Sequence, residues 1–262
     1  MPLPTFSALV PAYLARRAEV AADQVGVSIA VHPGLRAAHV RPGQFVKVAV
    51  PVRAGVALEG VFAMWNAPLE DTLEDGGHDE DGTPSGPVPT LRFLLRTNNP
   101  EGGEAADALA TLPIGAPVLV SEPAGAGFDL RRAEGRDLAF VATATAPAPV
   151  RAAIEHARAT GLTTRHRSLD LGVRSPAHVA YEAELERHRA AGLELHVHCS
   201  EPDRDGTVHG VLAHEALLSR LEARGTVRET FVIAVGQPAM VTSLREGYVA
   251  LGGEAADVIT NY

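Results

Sequence analysis

Between Gly26 and about Arg132, apolar and polar residues alternate in short runs broken by proline and glycine, the period-two pattern of half-buried strands. The runs at 27–31, 45–50, 61–64, 91–96 and 117–122 are the predicted strands, with turn signals at His32-Pro33-Gly34, Arg41-Pro42-Gly43 and Pro113-Ile114-Gly115. Short strands closed by such turns build a small antiparallel barrel or sandwich. From Arg136 the rhythm changes. Apolar runs at 138–143, 168–171, 194–198 and 230–235 are each followed by a helical pattern, at 149–160, 178–191, 212–224 and 239–251. This alternation predicts a parallel sheet covered by helices. The boundary falls in the charged connector 131–136, and the first 23 residues, with Leu14, Arg16, Arg17 and Val20, are expected to form a short helix leading into the barrel.

Residues 69–89 break both patterns. Seven acidic residues lie between Glu70 and Asp81 without a Lys or Arg, so a solvated, mobile loop is expected, with a basic partner or a cation as the functional alternatives. A chain of 262 residues that is 46% hydrophobic and 21% charged can bury the cores of two domains. Its net charge of -9 opposes nucleic-acid and anionic-membrane partners. With no long apolar run and no basic-then-apolar N-terminus, neither a membrane span nor a signal peptide is predicted, and a cytoplasmic location is expected. The single cysteine, Cys199, allows no internal disulfide and no cysteine-ligated iron–sulfur cluster within the chain.

Several segments then follow in a telling order. Arg41-Pro42-Gly43-Gln44-Phe45-Val46 precedes Gly115-Ala116-Pro117-Val118-Leu119-Val120-Ser121-Glu122-Pro123-Ala124-Gly125, and then Ala142-Thr143-Ala144-Thr145-Ala146-Pro147-Ala148-Pro149. Gly172-Val173-Arg174 with Tyr181, Val235-Gly236-Gln237-Pro238-Ala239-Met240-Val241 and the terminal Thr260-Asn261-Tyr262 complete the series. This set resembles the signatures of the ferredoxin-NADP reductase superfamily over residues 25–262. The resemblance implies an antiparallel Greek-key β-barrel at 24–133 followed by a Rossmann-like parallel α/β domain at 134–262. It also implies FAD on the barrel, a nicotinamide dinucleotide at the carboxyl ends of the parallel strands, and hydride transfer between them. The flavin segment of the family corresponds to Phe62, Ala63, Met64, Trp65 and Asn66, with Tyr262 as the terminal aromatic that stacks on the flavin. The nicotinamide site corresponds to Thr143, Ala144, Thr145, Ala146, Pro147, Gly172, Arg174, Gly236, Gln237 and Met240. Because no cluster is encoded in the chain, the implied electron acceptor is a separate redox protein carrying an iron–sulfur or haem centre.

The departures from the family pattern cluster at the cofactor positions. Gly60 stands where the family has an arginine on the flavin phosphates, and Ala63 where it has a hydroxyl. Loss of that charged contact removes about 1.5–3 kcal/mol, or one to two decades of affinity. Gly102-Gly103-Glu104-Ala105-Ala106 lacks the hydroxyl expected near the pyrophosphate, and Ala144 and Ala146 replace two glycines of the nucleotide turn. Val235 replaces a cysteine, and Glu201 after Ser200 suits a ribose diol, so NADH is favoured over NADPH. Two functions of different class follow: a flavin-dependent NAD(P)H oxidoreductase, or a non-catalytic scaffold or ligand-binding module that has lost tight cofactor binding. His196 and His198 share a strand face upstream of Asp203, Asp205, His209 and His214, but their spacing matches no metal motif. The other histidines, His188 among them, are scattered and point to no chemistry, and no serine sits in a hydrolase elbow.

Overall fold

The computed structural model describes residues 6, 8–53, 55–70, 73–78, 84–98, 103–143, 145–201 and 210–261, and its strands form one sheet of seven and one of five. The first sheet is antiparallel, built from β1 (Val10–Ala21), β2 (Gln24–Ala30), β3 (Phe45–Arg53), β4 (Val56–Ala63), β5 (Leu73–His78), β6 (Pro84–Arg96) and β7 (Pro117–Val120). Their spatial order is β4-β3-β7-β1-β2-β6-β5. Alternate residues of strands far apart in that order, Val46, Val48 and Val50 with Leu91, Phe93 and Leu95, meet in one core, so the sheet is curled. The helix α1 (Pro33–Ala37) follows β2. A second helix, α2 (Glu104–Thr111), buries Ala105, Ala106, Leu109 and Ala110 and touches β3, β4 and β6. It covers the seam between β4 and β6, which are not sheet neighbours.

Two expectations are corrected here. The first residues do not form a helix: β1 is a strand paired on one side with β2 and on the other with β7. Its Leu14 is fully buried while Arg16, Arg17 and Glu19 face solvent, so tertiary pairing overrides a local pattern that read as helical. The acidic segment is not wholly a loop either. Residues 73–78 pair antiparallel with β6, which begins at Pro84, because ladder hydrogen bonds ask nothing of side-chain polarity.

The second sheet is parallel, with β8 (Asp137–Thr143), β9 (His166–Val173), β10 (Glu194–Cys199), β11 (Thr230–Val235) and β12 (Val258–Ile259) in the order β10-β9-β8-β11-β12. The helices α3 (Pro147–Ala159) and α4 (Glu182–Ala190) contribute to one hydrophobic cluster, and α5 (Ala213–Arg224) and α6 (Pro238–Ala250) to another. The strands alternate between them, Phe140 and Ile233 entering the first cluster, Val141 and Val232 the second. Strand order reverses between β8 and β11, which opens a crevice at their carboxyl ends. Among the described residues no helix is long and apolar enough to cross a membrane.

The two domains share a small core of Trp65 and Leu94 with Ala148 and Ala180, against which Tyr181 packs. The Trp65 and Tyr181 ring centroids stand 4.3 Å apart. Beside them Arg151 of α3, nearly buried, binds Glu70 through both terminal nitrogens and Glu184 through Nε, and lies 5.8 Å from the Trp65 ring centre. Burial alone would push the Glu70 carboxyl up; the Arg151 guanidinium holds it below its ordinary range. At the opposite side of the seam the β1–β2 turn is pinned by Ala22 N–H to the Ala177 carbonyl and Gln24 Nε2 to the His178 carbonyl, both 2.8 Å.

Candidate functional site

The crevice at the carboxyl ends of the parallel strands is a cleft of about 690 Å³. It is lined by Thr143 of β8, Gly172 and Arg174 from β9 and its exit, His198 and Cys199 of β10, and Gln237 and Met240 at the start of α6. Five residues expected at a nicotinamide site therefore converge: Thr143, Gly172, Arg174, Gln237 and Met240. Gly236 lies beneath them, where a Cβ would stand 2.0 Å from Thr143 Oγ1 and 2.9 Å from Met240 Cε. Only a glycine lets these elements approach so closely. Thr143 Oγ1 is itself buried with no hydrogen-bond partner, and a buried hydroxyl lining a cleft fits a ligand carboxamide or ribose that would satisfy it.

The charges around this cleft are mixed. Arg174 stands between Asp23, at 3.6 Å, and Glu201, at 3.3 Å. His198 Nε2 lies 3.0 Å from the fully buried Asp170, which also takes two nitrogens of Arg220. His214 is 3.2 Å from Ser243 Oγ, and burial holds it below its ordinary range, so it is neutral near pH 7. His196, the other half of the pair singled out in the sequence, points its Nε2 at Glu194 instead, at 2.9 Å.

A second cleft, about 650 Å³, opens at the barrel seam between β4 and β6. Gly60, Phe62, Arg96, the amino-terminal turn of α2 and Thr145 line it. The Phe62 ring lies across Gly60, where a Cβ would meet it at 2.7 Å, so the room an arginine side chain would need is taken by the aromatic. A flavin ring fits here: an aromatic wall, the amino terminus of α2, which no side chain caps, and Thr145 surround a cavity of suitable size. The phosphate end fits less well. Glu59, Glu104 and Asp107 line the same cleft with Arg96; Lys47 offsets Glu59 at 3.0 Å and Asp107 accepts the Asn98 N–H.

Among the described residues, the other expected flavin residues line neither cleft. Met64 is in the barrel core, Trp65 is 3% exposed in the domain seam, and Asn66, fully buried, bonds the Thr90 carbonyl and the Arg92 N–H. Ala63 is half-buried at the end of β4, and Tyr262 and Ala144 lie outside the described residues. On the nucleotide side, Ala146 and Pro147 are buried in the first turn of α3 and Thr145 turns toward the barrel cleft. Sequence reasoning missed Arg96, which lines both clefts, although it closes a predicted strand at the expected cofactor edge. It also missed the Asp170–His198 pair, whose partners are 28 residues apart and meet only through strand register.

This architecture is the two-domain fold of the ferredoxin-NADP reductases: an antiparallel barrel, a parallel α/β domain, and clefts at the seam and at the strand ends. No protein-family model matches the chain, and no curated protein matches it. Solved structures do. The Amycolatopsis cytochrome P450 reductase GcoB superposes with a TM-score of 0.73 at 19% identity, over 98% of this chain and 70% of that one. The ferredoxin NADP+ reductase of Neisseria gonorrhoeae, solved with bound FAD and NADP, gives 0.72 at 13% identity over 97% and 98%. The CS-b5R domains of human Ncb5or, in the NAD+ form, give 0.73 at 20% over 98% and 70%.

Proposed function

We propose that the chain is a flavin-dependent NAD(P)H oxidoreductase that passes electrons to a separate redox protein with an iron–sulfur or haem centre. The observation that carries this reading is the pair of clefts with Arg96 on both: one at the strand-order reversal, holding an unpartnered Thr143 hydroxyl, and one against Phe62. Thr143, Gln237 and Met240 would orient the nicotinamide, Arg174 its pyrophosphate or ribose, and Glu201 would select the ribose diol of NADH over the phosphate of NADPH. Phe62 would pack on the flavin, with the α2 amino terminus and Arg96 on its phosphates. A bound flavin would take two electrons and release them singly. With Gly60 and Ala63 in place of the family's arginine and hydroxyl and Glu104 adding a negative charge near the pyrophosphate, FAD is held weakly and exchanges.

A second reading, a reductase-like scaffold without flavin, is favoured by one observation: the Trp65–Tyr181 contact and Arg151 fill the domain seam with protein. The visible spectrum of the purified chain, before and after incubation with FAD and then NADH without oxygen, separates the two. Flavin absorbance that NADH bleaches, and that Phe62→Ala weakens, supports the oxidoreductase. A chain that binds NADH but takes up no FAD at high concentration is the scaffold.

A further inference from the structure

Away from both clefts, three side chains with metal-ligating atoms face one another: Glu155 of α3 and Glu184 and His188 of α4, with one such atom from each within 4.8 Å of the others. His188 is only 7% exposed, and its Nε2 is buried without a hydrogen-bond partner. That nitrogen points at Glu155 Oε1, 3.6 Å away, and Glu184 Oε1, 3.9 Å away. Both distances are too long for hydrogen bonds. They are close to the separation of two ligands on one tetrahedral zinc, about 3.3 Å when each stands 2.0–2.1 Å from the ion.

His188 Nε2 thus faces two carboxylate oxygens that make no hydrogen bond to it, and a cation seated among the three would satisfy all of them. The carboxylates are already oriented: Arg158 donates to Glu155 Oε2 at 2.8 and 3.0 Å, and Arg151 donates to Glu184 Oε1 at 2.5 Å. An approach exists as well, a cleft of about 240 Å³ that reaches His188 past Ile154, Arg158 and Leu193. We propose that Glu155, Glu184 and His188 bind one divalent transition-metal ion of the zinc type, with water completing a four-coordinate shell. The ion staples α3 to α4. Through Glu184 and Arg151 it also borders the contact with Glu70 that joins the two domains.

The test uses the full chain, stripped with a chelator and titrated with zinc against a chromophoric competitor, with magnesium as the control. One equivalent of zinc binds and the Tm rises with zinc but not with magnesium. Glu155→Gln and His188→Gln each weaken zinc at least tenfold, while His196→Gln, whose ring meets Glu194 instead, leaves the affinity unchanged. Absence of a one-equivalent site, or wild-type affinity retained in both ligand variants, overturns the proposal. Should those variants fail to fold, X-ray absorption of the zinc-loaded wild-type chain decides: a shell of one imidazole and oxygen ligands supports the site, and two or more imidazoles overturn it.

Discussion

At the residue scale, the consequences come from side chains that burial has stripped of water. His39 is 2% exposed, and burial with the neighbouring Arg36 guanidinium pushes it down to about 3. Unfolded, it takes a proton near its ordinary 6.5, so between those values the unfolded chain binds more protons. Stability is therefore full above pH 6.5 and declines as pH falls toward 3. Urea unfolding at pH 7 and pH 5 should differ by about 2 kcal/mol from this group alone, and His39→Leu should flatten the difference. Burial also displaces His156, His188 and His214 downward, so part of the slope stays in the variant. Gly236→Ala acts on the cleft itself. Its methyl would overlap Thr143 Oγ1, costing about 1–3 kcal/mol of stability and displacing the hydroxyl proposed to meet the nucleotide. The Cm and the NADH affinity, measured by fluorescence, should fall together; an unchanged affinity would remove Thr143 from the site. The glycine was visible in the sequence, but the reason for it was not, because Thr143 and Gly236 meet only across β8 and β11.

At the element scale, β1 shows how far a local pattern carries. Arg16-Arg17 beside Leu14 and Val20 resembles an amphipathic turn, yet the segment lies between two strands that satisfy its backbone. Leu14 sits in the barrel core with no exposed surface, so Leu14→Ala should cost about 2–5 kcal/mol by chemical denaturation. A change of a few tenths would instead describe a surface helix. The parallel domain was far more legible, since β8 and β11 are buried apolar runs and a helix stands between successive strands. Five residues expected at the nicotinamide site were legible as lining one cleft, because they sit at strand ends or at the start of α6, positions that are set locally. Met64, Trp65 and Asn66 were not, because their neighbours come from β6 and from the other domain.

At the scale of the whole molecule, the domains are joined by a buried guanidinium rather than by a broad apolar face. Arg151→Met leaves Glu70 and Glu184 partly buried without their cation, and the expected loss is about 3–5 kcal/mol. Glu70→Gln combined with Arg151→Met should recover part of that loss, a coupling read from the double-mutant cycle in the denaturation midpoint. Additive effects would mean that the pair contributes nothing to the joint. Because Arg151 also borders Trp65, the same variants should loosen the Trp65–Tyr181 contact and shift tryptophan emission to longer wavelength.

Period-two and strand–helix patterns, with the order of the short motifs, determined by themselves that this chain folds as a barrel followed by a parallel α/β domain. Those features depend on neighbours within a few residues and on the solvent preference of each side chain. Tertiary structure alone decided that Phe62 covers Gly60, that Arg96 serves two clefts, and that Glu155, Glu184 and His188 share one space. The second and third of these bring together segments far apart in the chain, which packing sets and no local pattern encodes.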